Sequence, residues 1–165
     1  MLDDLRVLAD KEGPGPSGPP GRATGPEIAM FAAQELKTLL AEVKTIAVVG
    51  ASDRPGRPVD RVGRYLLDAG FDVVPVHPAR RSVWGLPASR SLADVDRPIH
   101  CVDLFRAAEH CAGHAREVLA LADPPLVFWM QSGIVSPEAE AILAPTGVRV
   151  VQDRCLMVEH RRLAQ

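Results

Sequence analysis

The most constraining feature of this sequence is a short apolar run over residues 46–49 that ends at Gly50. Its β-branched and small residues are typical of a buried strand in a parallel sheet. A glycine at the strand end lets the backbone approach a ligand closely, as in phosphate-binding loops. The next glycines are Gly56 and Gly63, so the spacing departs from the Gly-x-Gly-x-x-Gly of dinucleotide sites. We therefore predict a strand and a longer loop, with Gly63 serving helix–strand packing.

The loop after this strand carries groups that bind phosphate. Its backbone offers N–H donors at Ala51 and Ser52, and Ser52 adds a hydroxyl. Guanidinium groups at Arg54 and Arg57 precede Pro58, where a helix can begin, and a helix N-terminus favours anions. These groups suit a diphosphate. For each arginine taken alone, a solvated loop position is an equally good explanation.

Beyond this loop, short apolar segments alternate with segments of helical periodicity. We predict strands over residues 46–49, 72–76, 99–104, 126–130 and 148–151, helices over 27–43, 58–69, 107–122 and 137–143, and a short helix from Ser91. Such alternation predicts an α/β fold: a Rossmann-like, doubly wound and mostly parallel sheet of five or six strands with helices on both faces. Ligands of such sheets bind beyond the carboxyl ends of the strands.

The end of the second predicted strand bears on which nucleotide could bind. NAD sites place an Asp or Glu there for the ribose hydroxyls, whereas here Val76 is followed by His77 and Pro78. NAD is therefore disfavoured. The following pair, Arg80 and Arg81, would suit a ribose that carries a further phosphate, as in NADP or coenzyme A, although an exposed turn explains the pair equally well.

Further candidates follow the third and fourth predicted strands. Phe105 and Arg106 come directly after the third strand, and we expect Phe105 to form a wall of an adenine pocket. Gln131 and Gly133 follow the fourth strand and complete the predicted rim. Trp129, inside that strand, is expected in the core.

Composition and patterning disfavour several other classes of protein. A net charge of -2 disfavours nucleic-acid binding, which usually requires a basic excess. No apolar run reaches the roughly 18 residues of a membrane span, and the N-terminus is acidic where a secretory signal is basic, so we expect a cytoplasmic protein without a membrane partner. Residues 1–26, rich in Pro and Gly from 13 onward, are predicted to be a flexible extension of a single domain over 27–165.

The cysteines indicate neither disulfides nor a metal centre. Cys101, Cys111 and Cys155 are odd in number and form no Cys-x-x-Cys pair, so free thiols are expected. His110 and His114 have helical spacing with Cys111 between them, but no Glu follows His110 in a His-Glu-x-x-His pattern. We predict no metal site.

Several blocks of this sequence, taken in order, resemble the small CoA-binding proteins of bacteria and archaea. The single Rossmann-like domain of that family is also similar to the CoA-binding domain of the succinyl-CoA synthetase alpha subunit. The resemblance covers about residues 36–163 and rests on residues 45–52, 57–58, 74–78, 102–106, 129–133, 151–155 and 159–160. It implies binding of coenzyme A or an acyl-CoA, with the diphosphate on the 50–52 loop and adenosine between the second strand and Phe105.

The sequence departs from the family pattern at two places. Val59 and Asp60 stand where the family commonly has Ser and an aromatic residue or His, which removes a hydroxyl and is expected to place a carboxylate near the phosphates. His77 replaces the usual Asn. Either change is expected to weaken binding.

We expect binding without catalysis. The synthetase relatives use a second domain with a phosphorylated histidine, and this chain ends before such a domain. Internal candidates are His160 and Cys155, the latter beside Asp153 and Arg154, which we expect to form an ion pair with each other. No protein partner is indicated.

Two alternative functions remain open at this stage. The first is an NADP-dependent oxidoreductase, which would need a proton donor in the cleft; the chain has no Tyr-x-x-x-Lys pair, and its single tyrosine is Tyr65. The second is a nucleotide-binding regulatory protein, or a regulatory or scaffolding protein that uses the fold with an empty or decayed site.

Overall fold

The computed structural model describes residues 25–165, with side chains from residue 32 onward. Most of the predicted N-terminal extension lies outside the described residues, and its boundary with the domain stays a prediction. The helices are α1 (Gly25–Glu42), α2 (Pro58–Asp68), α3 (Ala108–Leu119), α4 (Pro137–Leu143) and α5 (Leu156–Leu163). The strands are β1 (Thr45–Val49), β2 (Asp72–Val76), β3 (Ser82–Val83), β4 (Leu86–Pro87), β5 (Cys101–Leu104), β6 (Val127–Met130) and β7 (Arg149–Val151).

Five of the strands form one parallel sheet in the order β2-β1-β5-β6-β7. The predicted Rossmann-like α/β class is therefore confirmed, with five strands in the main sheet. Chain order reverses between β1 and β5, and such a reversal leaves a crevice at the carboxyl ends of these two strands. Within residues 25–165, none of the helices has the length and apolar character needed to cross a membrane.

Helices cover both faces of the sheet. Every residue of β1, β5 and β6 is buried, which explains their nearly continuous apolar sequences. Successive side chains alternate between two core clusters. One contains Val48, Trp129 and Leu156, together with residues of α1, α2 and α5, and the other contains Phe128 and Leu143, together with residues of α3 and α4. The expectation that Trp129 is a core residue is confirmed, since it is fully buried.

The edge of the sheet at β2 is closed by the segment that follows it. Ser89 forms an isolated parallel bridge with Val76. The N–H of Ser89 donates to the carbonyl of Pro75 at 2.9 Å, and the N–H of His77 donates to the carbonyl of Ser89 at 2.9 Å. The main-chain groups at the carboxyl end of β2 therefore have partners on both sides.

One local prediction differs from the structure, and two elements of the structure were not predicted. The helix expected from Ser91 is a single 3-10 turn over Leu92–Asp94, and the Ser91 hydroxyl binds the Asp94 side chain at 2.8 Å instead of a backbone N–H. The hairpin β3–β4 was not predicted because its strands are only two residues long. Helix α5 was also not predicted.

The hairpin turn places Trp84 against α2. Trp84 and Gly85 both have positive φ, as a two-residue type I′ turn requires. The indole Nε1 of Trp84 donates to Oδ1 of Asp60 at 3.0 Å, and its six-membered ring occupies the space that a Cβ at Gly63 would need. Gly63 thus serves close packing, but its partner is Trp84 of the hairpin turn and not a strand of the main sheet.

Replacing Gly63 with Ala should therefore destabilise the protein. We expect Gly63→Ala to lower the free energy of unfolding by about 1–3 kcal/mol, because the added methyl group forces the Trp84 ring or α2 to move. Gly113→Ala is the matched control, since this glycine lies in α3 with no atom within 4 Å of the added Cβ. It should stabilise the protein by about 0.5–1 kcal/mol through helix propensity. Urea unfolding measures both, and equal effects of the same sign would contradict the packing argument.

Candidate functional site

A cavity of about 900 Å³ lies over the carboxyl ends of β1, β5 and β6, at the reversal of strand order. Its walls are the loop after β1, the start of α2, the residues after β2 and the N-terminal turn of α5. Of the residues predicted to form a site, those that line this cavity are Gly50, Ala51, Ser52, Arg54, Arg57, Pro58, His77, Arg80, Phe105, Arg106 and Gln131. The structure thus brings together residues from four separate predicted strand ends.

Three predicted site residues do not line the cavity. Val76 is buried at the end of β2. Pro78 is an exposed turn residue outside the lining. Gly133 has a φ of +81°, and its N–H donates to Oδ1 of Asp153 at 2.6 Å, so it shapes a turn.

The loop after β1 is held by main-chain bonds to its neighbours. The N–H groups of Gly50 and Ala51 both donate to the carbonyl of Val76, at 3.1 and 3.4 Å. Gly50 has a φ of +80°, and a Cβ there would lie 2.5 Å from the carbonyl oxygen of Phe105. The glycine is therefore required for the close approach of the chain after β5. Of the two predicted backbone donors, the N–H of Ala51 is already hydrogen-bonded to Val76. The N–H of Ser52 has no main-chain acceptor within residues 25–165.

One end of the cavity is cationic. Arg54, Arg57 and Arg61 line it beside the N-terminus of α2, where Arg57 is the N-cap and Pro58 the first helical residue. Within the part of the chain whose side chains are described, none of these three guanidinium groups has a carboxylate partner within 4.0 Å. Sequence reasoning missed Arg61. The signal was its spacing, because residues four apart share one face of a helix.

The carboxylate of Asp60 is directed to partners outside the cavity lining. It is buried, and its Oδ1 accepts hydrogen bonds from Trp84 Nε1 at 3.0 Å and from Arg64 Nε at 2.9 Å. The carboxylate expected near the phosphates is therefore not part of the cavity lining. Its neighbour Val59 lines the cavity and adds an apolar surface there.

His77 organises the turn after β2. Its Nδ1 accepts the N–H groups of Ala79 and Arg80, at 3.0 and 3.1 Å. The side-chain oxygen of an Asn can accept N–H groups two and three residues ahead in the same way. An imidazole at position 77 can therefore hold the turn that an Asn would hold.

Arg80 lines the cavity and links two loops. Its guanidinium donates to Oδ1 of Asp53 at 2.8 Å and to the carbonyl of Ser82 at 3.2 Å. The hydrogen bond from Arg80 lowers the pKa of Asp53 below its usual value. Arg81 is exposed and lies outside the cavity lining, so the predicted arginine pair is divided between two environments.

A second region of the cavity lining, the uncharged end, is formed largely by α5. Cys155 precedes this helix, and Met157 and Val158 lie in its first turn; together with Ile134 they line this end. Sequence reasoning missed Met157 and Val158 because it did not predict the helix. The spacing of Leu156, Met157, His160 and Leu163 carried that signal.

Helix α5 is fixed to α2 by an aromatic cluster. Tyr65 Oη and His160 Nδ1 are 2.7 Å apart, and the rings of His160 and Phe71 pack edge to face with centroids 5.1 Å apart. Burial lowers the pKa of His160. Neither Tyr65 nor His160 lines the cavity, so His160, a catalytic candidate by sequence, has a packing role here.

The segment before α5 is held by three contacts. Trp129 Nε1 donates to the carbonyl of Arg154 at 2.7 Å. Asp153 binds the N–H of Gly133, and Arg154 lies 4.0 Å from the carboxylate of Glu159. The predicted ion pair between Asp153 and Arg154 is therefore wrong.

A buried acid lies beneath the cavity. Asp103 of β5 is fully buried, and its Oδ1 accepts a hydrogen bond of 2.7 Å from Nε2 of Gln131. Burial raises the pKa of Asp103 to about 7, although the hydrogen bond from Gln131 acts in the opposite direction. Sequence reasoning did not single out Asp103. Its signal was an acidic residue inside an otherwise apolar strand.

The cysteines are free thiols, with Cys101 and Cys111 buried and Cys155 partly exposed. His114 lies 2.9 Å from Glu117, and His110 lies 3.7 Å from Glu109. In the described part of the chain, no three His, Cys, Asp or Glu side chains are grouped as a metal site would require.

The amino-acid sequence of this chain is similar to those of known proteins. The sequence model of a family described as "CoA binding domain" matches residues 44–161. An uncharacterized protein of Bacillus subtilis, YneT, is 41% identical over 126 residues, which cover 76% of this chain and 92% of that protein.

Two solved structures resemble the chain closely. "Cell-free ID.343" from Thermus thermophilus is 46% identical with a TM-score of 0.74, and the match covers 79% of this chain and 98% of that one. A hypothetical protein from Pyrococcus horikoshii is 32% identical with a TM-score of 0.77, and the match covers 81% of this chain and 92% of that one.

The buried acid predicts a specific dependence of stability on pH. Because the pKa of Asp103 is about 7 in the folded state against 3.8 ordinarily, the folded protein keeps this proton while the unfolded chain loses it. Stability contributed by the neutral form is thus fully present below pH 4 and is lost as pH rises to about 7. Asp103→Asn should stabilise the protein by an amount that grows over this range to about 4 kcal/mol.

Urea unfolding at pH 5, 6, 7 and 8 measures this gain. Asp123→Asn is the control, because Asp123 is exposed and makes no hydrogen bond or ion pair within the described side chains. It should show no comparable trend. A gain for Asp103→Asn that does not change with pH would contradict the assignment.

Proposed function

Because this chain belongs to the CoA binding domain family, we propose that it binds coenzyme A or an acyl-CoA in the cavity over β1, β5 and β6. The proposal is one of binding, without a catalytic step carried by this chain. The observation that carries it is the group of three guanidinium side chains, without carboxylate partners among the described side chains, that lines this cavity beside the N-terminus of α2.

The cationic end has the chemistry needed for a diphosphate. Arg54, Arg57 and Arg61 line it together with the N-terminus of α2, whose first N–H groups carry partial positive charge. Ser52 adds a backbone N–H without a main-chain acceptor and a hydroxyl whose oxygen accepts the N–H of Arg54 at 3.3 Å. The hydroxyl hydrogen remains able to donate to a phosphate oxygen. We assign the diphosphate to this end.

The adenosine part of the ligand is assigned to the region between the ends of β2 and β5. His77, Arg80 and Phe105 line the cavity there, and Phe105 is partly buried against the core. An aromatic ring and an imidazole provide flat surfaces for a purine. Arg80 would then face the phosphate on the ribose, which distinguishes coenzyme A from its dephosphorylated form.

The remaining end suits a long and uncharged arm. From β2 to β7 the rim crosses four strand spacings of about 4.8 Å, roughly 19 Å in all. Met157, Val158 and Ile134 supply apolar surface at the far end. The gradient from arginines to apolar side chains matches a ligand with phosphates at one end and a pantetheine arm at the other.

Binding without catalysis is supported by the environment of Cys155. Its thiol lines the uncharged end, and within the described residues it makes no hydrogen bond to a histidine or a carboxylate. A nucleophilic cysteine is normally activated by such a base.

Calorimetry with coenzyme A, NAD and NADP tests the proposal. We expect coenzyme A to bind more tightly than NAD or NADP, because the site offers no carboxylate for the ribose hydroxyls at the end of β2 and an uncharged surface for the arm. No binding of coenzyme A at millimolar concentration would refute the proposal. Tighter binding of NADP would favour the alternative of an oxidoreductase.

Arginine variants test which side chain binds the diphosphate and which binds the phosphate on the ribose. Arg57→Ala should weaken binding of coenzyme A and of dephospho-CoA by about tenfold each, since both carry the diphosphate. Arg80→Ala should weaken coenzyme A by a similar factor and leave dephospho-CoA almost unchanged. Arg81→Ala, next to it but outside the cavity, is the matched control and should change neither. Equal losses for both ligands in Arg80→Ala would contradict the assignment of the ribose phosphate.

A further inference from the structure

In the pair formed by Asp103 and Gln131, one oxygen of the acid has no hydrogen-bond partner among the described residues. Oδ1 of Asp103 accepts the bond from Gln131, but Oδ2 is buried and has no partner within the described residues. Buried polar atoms in proteins almost always have partners, and a buried oxygen without one costs less on a neutral acid than on a carboxylate. The binding proposed above makes no use of this pair.

Gln131 lies between the buried acid and the cavity. Asp103 is in register with Val48 of β1 and with Trp129 of β6. Gln131 follows Trp129 by two residues, so its side chain lies on the same face of the sheet. It is 4% exposed and lines the cavity, while its Nε2 is bonded to Asp103. Gln131 therefore contacts the acid through its carboxamide and is also part of the cavity wall.

The protonation of Asp103 decides which end of this carboxamide faces a ligand. Beside an ionised Asp103, Nε2 of Gln131 donates to the acid and the carbonyl oxygen Oε1 is left for the cavity. A protonated Asp103 has a hydroxyl that can donate to Oε1, which turns the N–H groups toward the cavity. A proton on the acid thus changes the group offered to the ligand from an acceptor to a donor.

The part of the ligand that reaches Gln131 follows from the lining. Gln131 lies beside the uncharged end, since its carbonyl accepts the N–H of Ile134 at 2.9 Å and both residues line the cavity. This is the end assigned to the pantetheine arm, whose terminus is either a thiol or an acyl thioester. A thioester has a carbonyl oxygen that accepts a hydrogen bond, whereas a thiol or a thioether has none.

We propose that Asp103 and Gln131 recognise the carbonyl oxygen of an acyl thioester, and that this recognition requires Asp103 to carry a proton. The inference rests on the proposed function and deepens it by naming the acyl-CoA thioester as the preferred ligand.

The surroundings of Asp103 allow the two states to interconvert near neutral pH. Burial raises its pKa to about 7. Its neighbours in register, Val48 and Trp129, carry no charge, and Cys101 is the titratable side chain on its own strand. The titratable or charged side chains that line the cavity above are Arg54, Arg57 and Arg61 from the β1 loop and α2, His77 and Arg80 after β2, Arg106 after β5, and Cys155 before α5.

Two ligands that differ in the carbonyl group measure the contribution of its oxygen to affinity. Acetyl-CoA and S-ethyl-CoA have the same length, but the second is a thioether without the carbonyl. Both carry the same phosphates, so their affinity ratio cancels every effect of pH on phosphate binding. Calorimetry should show acetyl-CoA bound about fivefold more tightly at pH 6, with the ratio falling toward one at pH 8.

Two variants of the pair separate the acid from the amide. Asp103→Asn keeps a donor toward Oε1 of Gln131 at every pH, so it should hold the fivefold ratio at both pH 6 and pH 8. Gln131→Met keeps the length of the side chain without its hydrogen bonds and should give a ratio near one at both. Asp123→Asn, exposed and remote from the acid, should behave as the unchanged protein.

The outcomes distinguish this inference from the proposed function. Binding of both ligands with a ratio near one at every pH would overturn the inference and leave CoA binding established. A ratio that still falls with pH in Asp103→Asn would overturn the role of Asp103. Binding of neither ligand would overturn the proposed function and, with it, this inference.

Discussion

The structure depends on a close approach of three main-chain segments at the carboxyl end of β1. The carbonyl of Val76 accepts the N–H groups of Gly50 and Ala51, and the N–H of Phe105 donates to the carbonyl of Val49 at 3.0 Å. The carbonyl of Phe105 lies where a Cβ of residue 50 would stand. A glycine with positive φ satisfies both conditions, so β2, β1 and β5 stay in register up to the point where their loops diverge. The cavity exists because these loops diverge immediately beyond Gly50.

Much of this fold could be predicted because its signals are local. The strand over Asp72–Val76 and the helix over Pro137–Leu143 have clear patterns bounded by glycine, proline or a capping serine, and the structure has the predicted bounds. Helix α5 was missed because the sequence after β7 was interpreted by its polar residues and not by its apolar spacing. The hairpin β3–β4 was missed because its two-residue strands depend on the contact of Trp84 with α2, which is a tertiary interaction.

The candidate site shows the same division between local and tertiary signals. Residues after strand ends could be predicted because parallel strands present their carboxyl ends at one edge. The partners of individual side chains could not. The sequence predicts the negative charge of Asp60 near the phosphates, but hydrogen bonds from Trp84 and Arg64 hold its carboxylate outside the cavity lining. The replacement of the usual Asn by His77 is expected from the sequence to weaken binding, but Nδ1 of His77 accepts two backbone N–H groups. In both cases a contact across the fold decides the role of the residue.

The strand-like pairing of Ser89 with β2 has a consequence for association between molecules. A strand at the edge of a sheet normally offers unpaired main-chain groups on which another chain can add a strand. Ser89 occupies these groups beside Pro75 and His77 through its own N–H and carbonyl. Continuation of the sheet into a neighbouring molecule is thus blocked at the carboxyl end of β2. Within the described part of the chain, the other edge strand, β7, has no such strand-like cover.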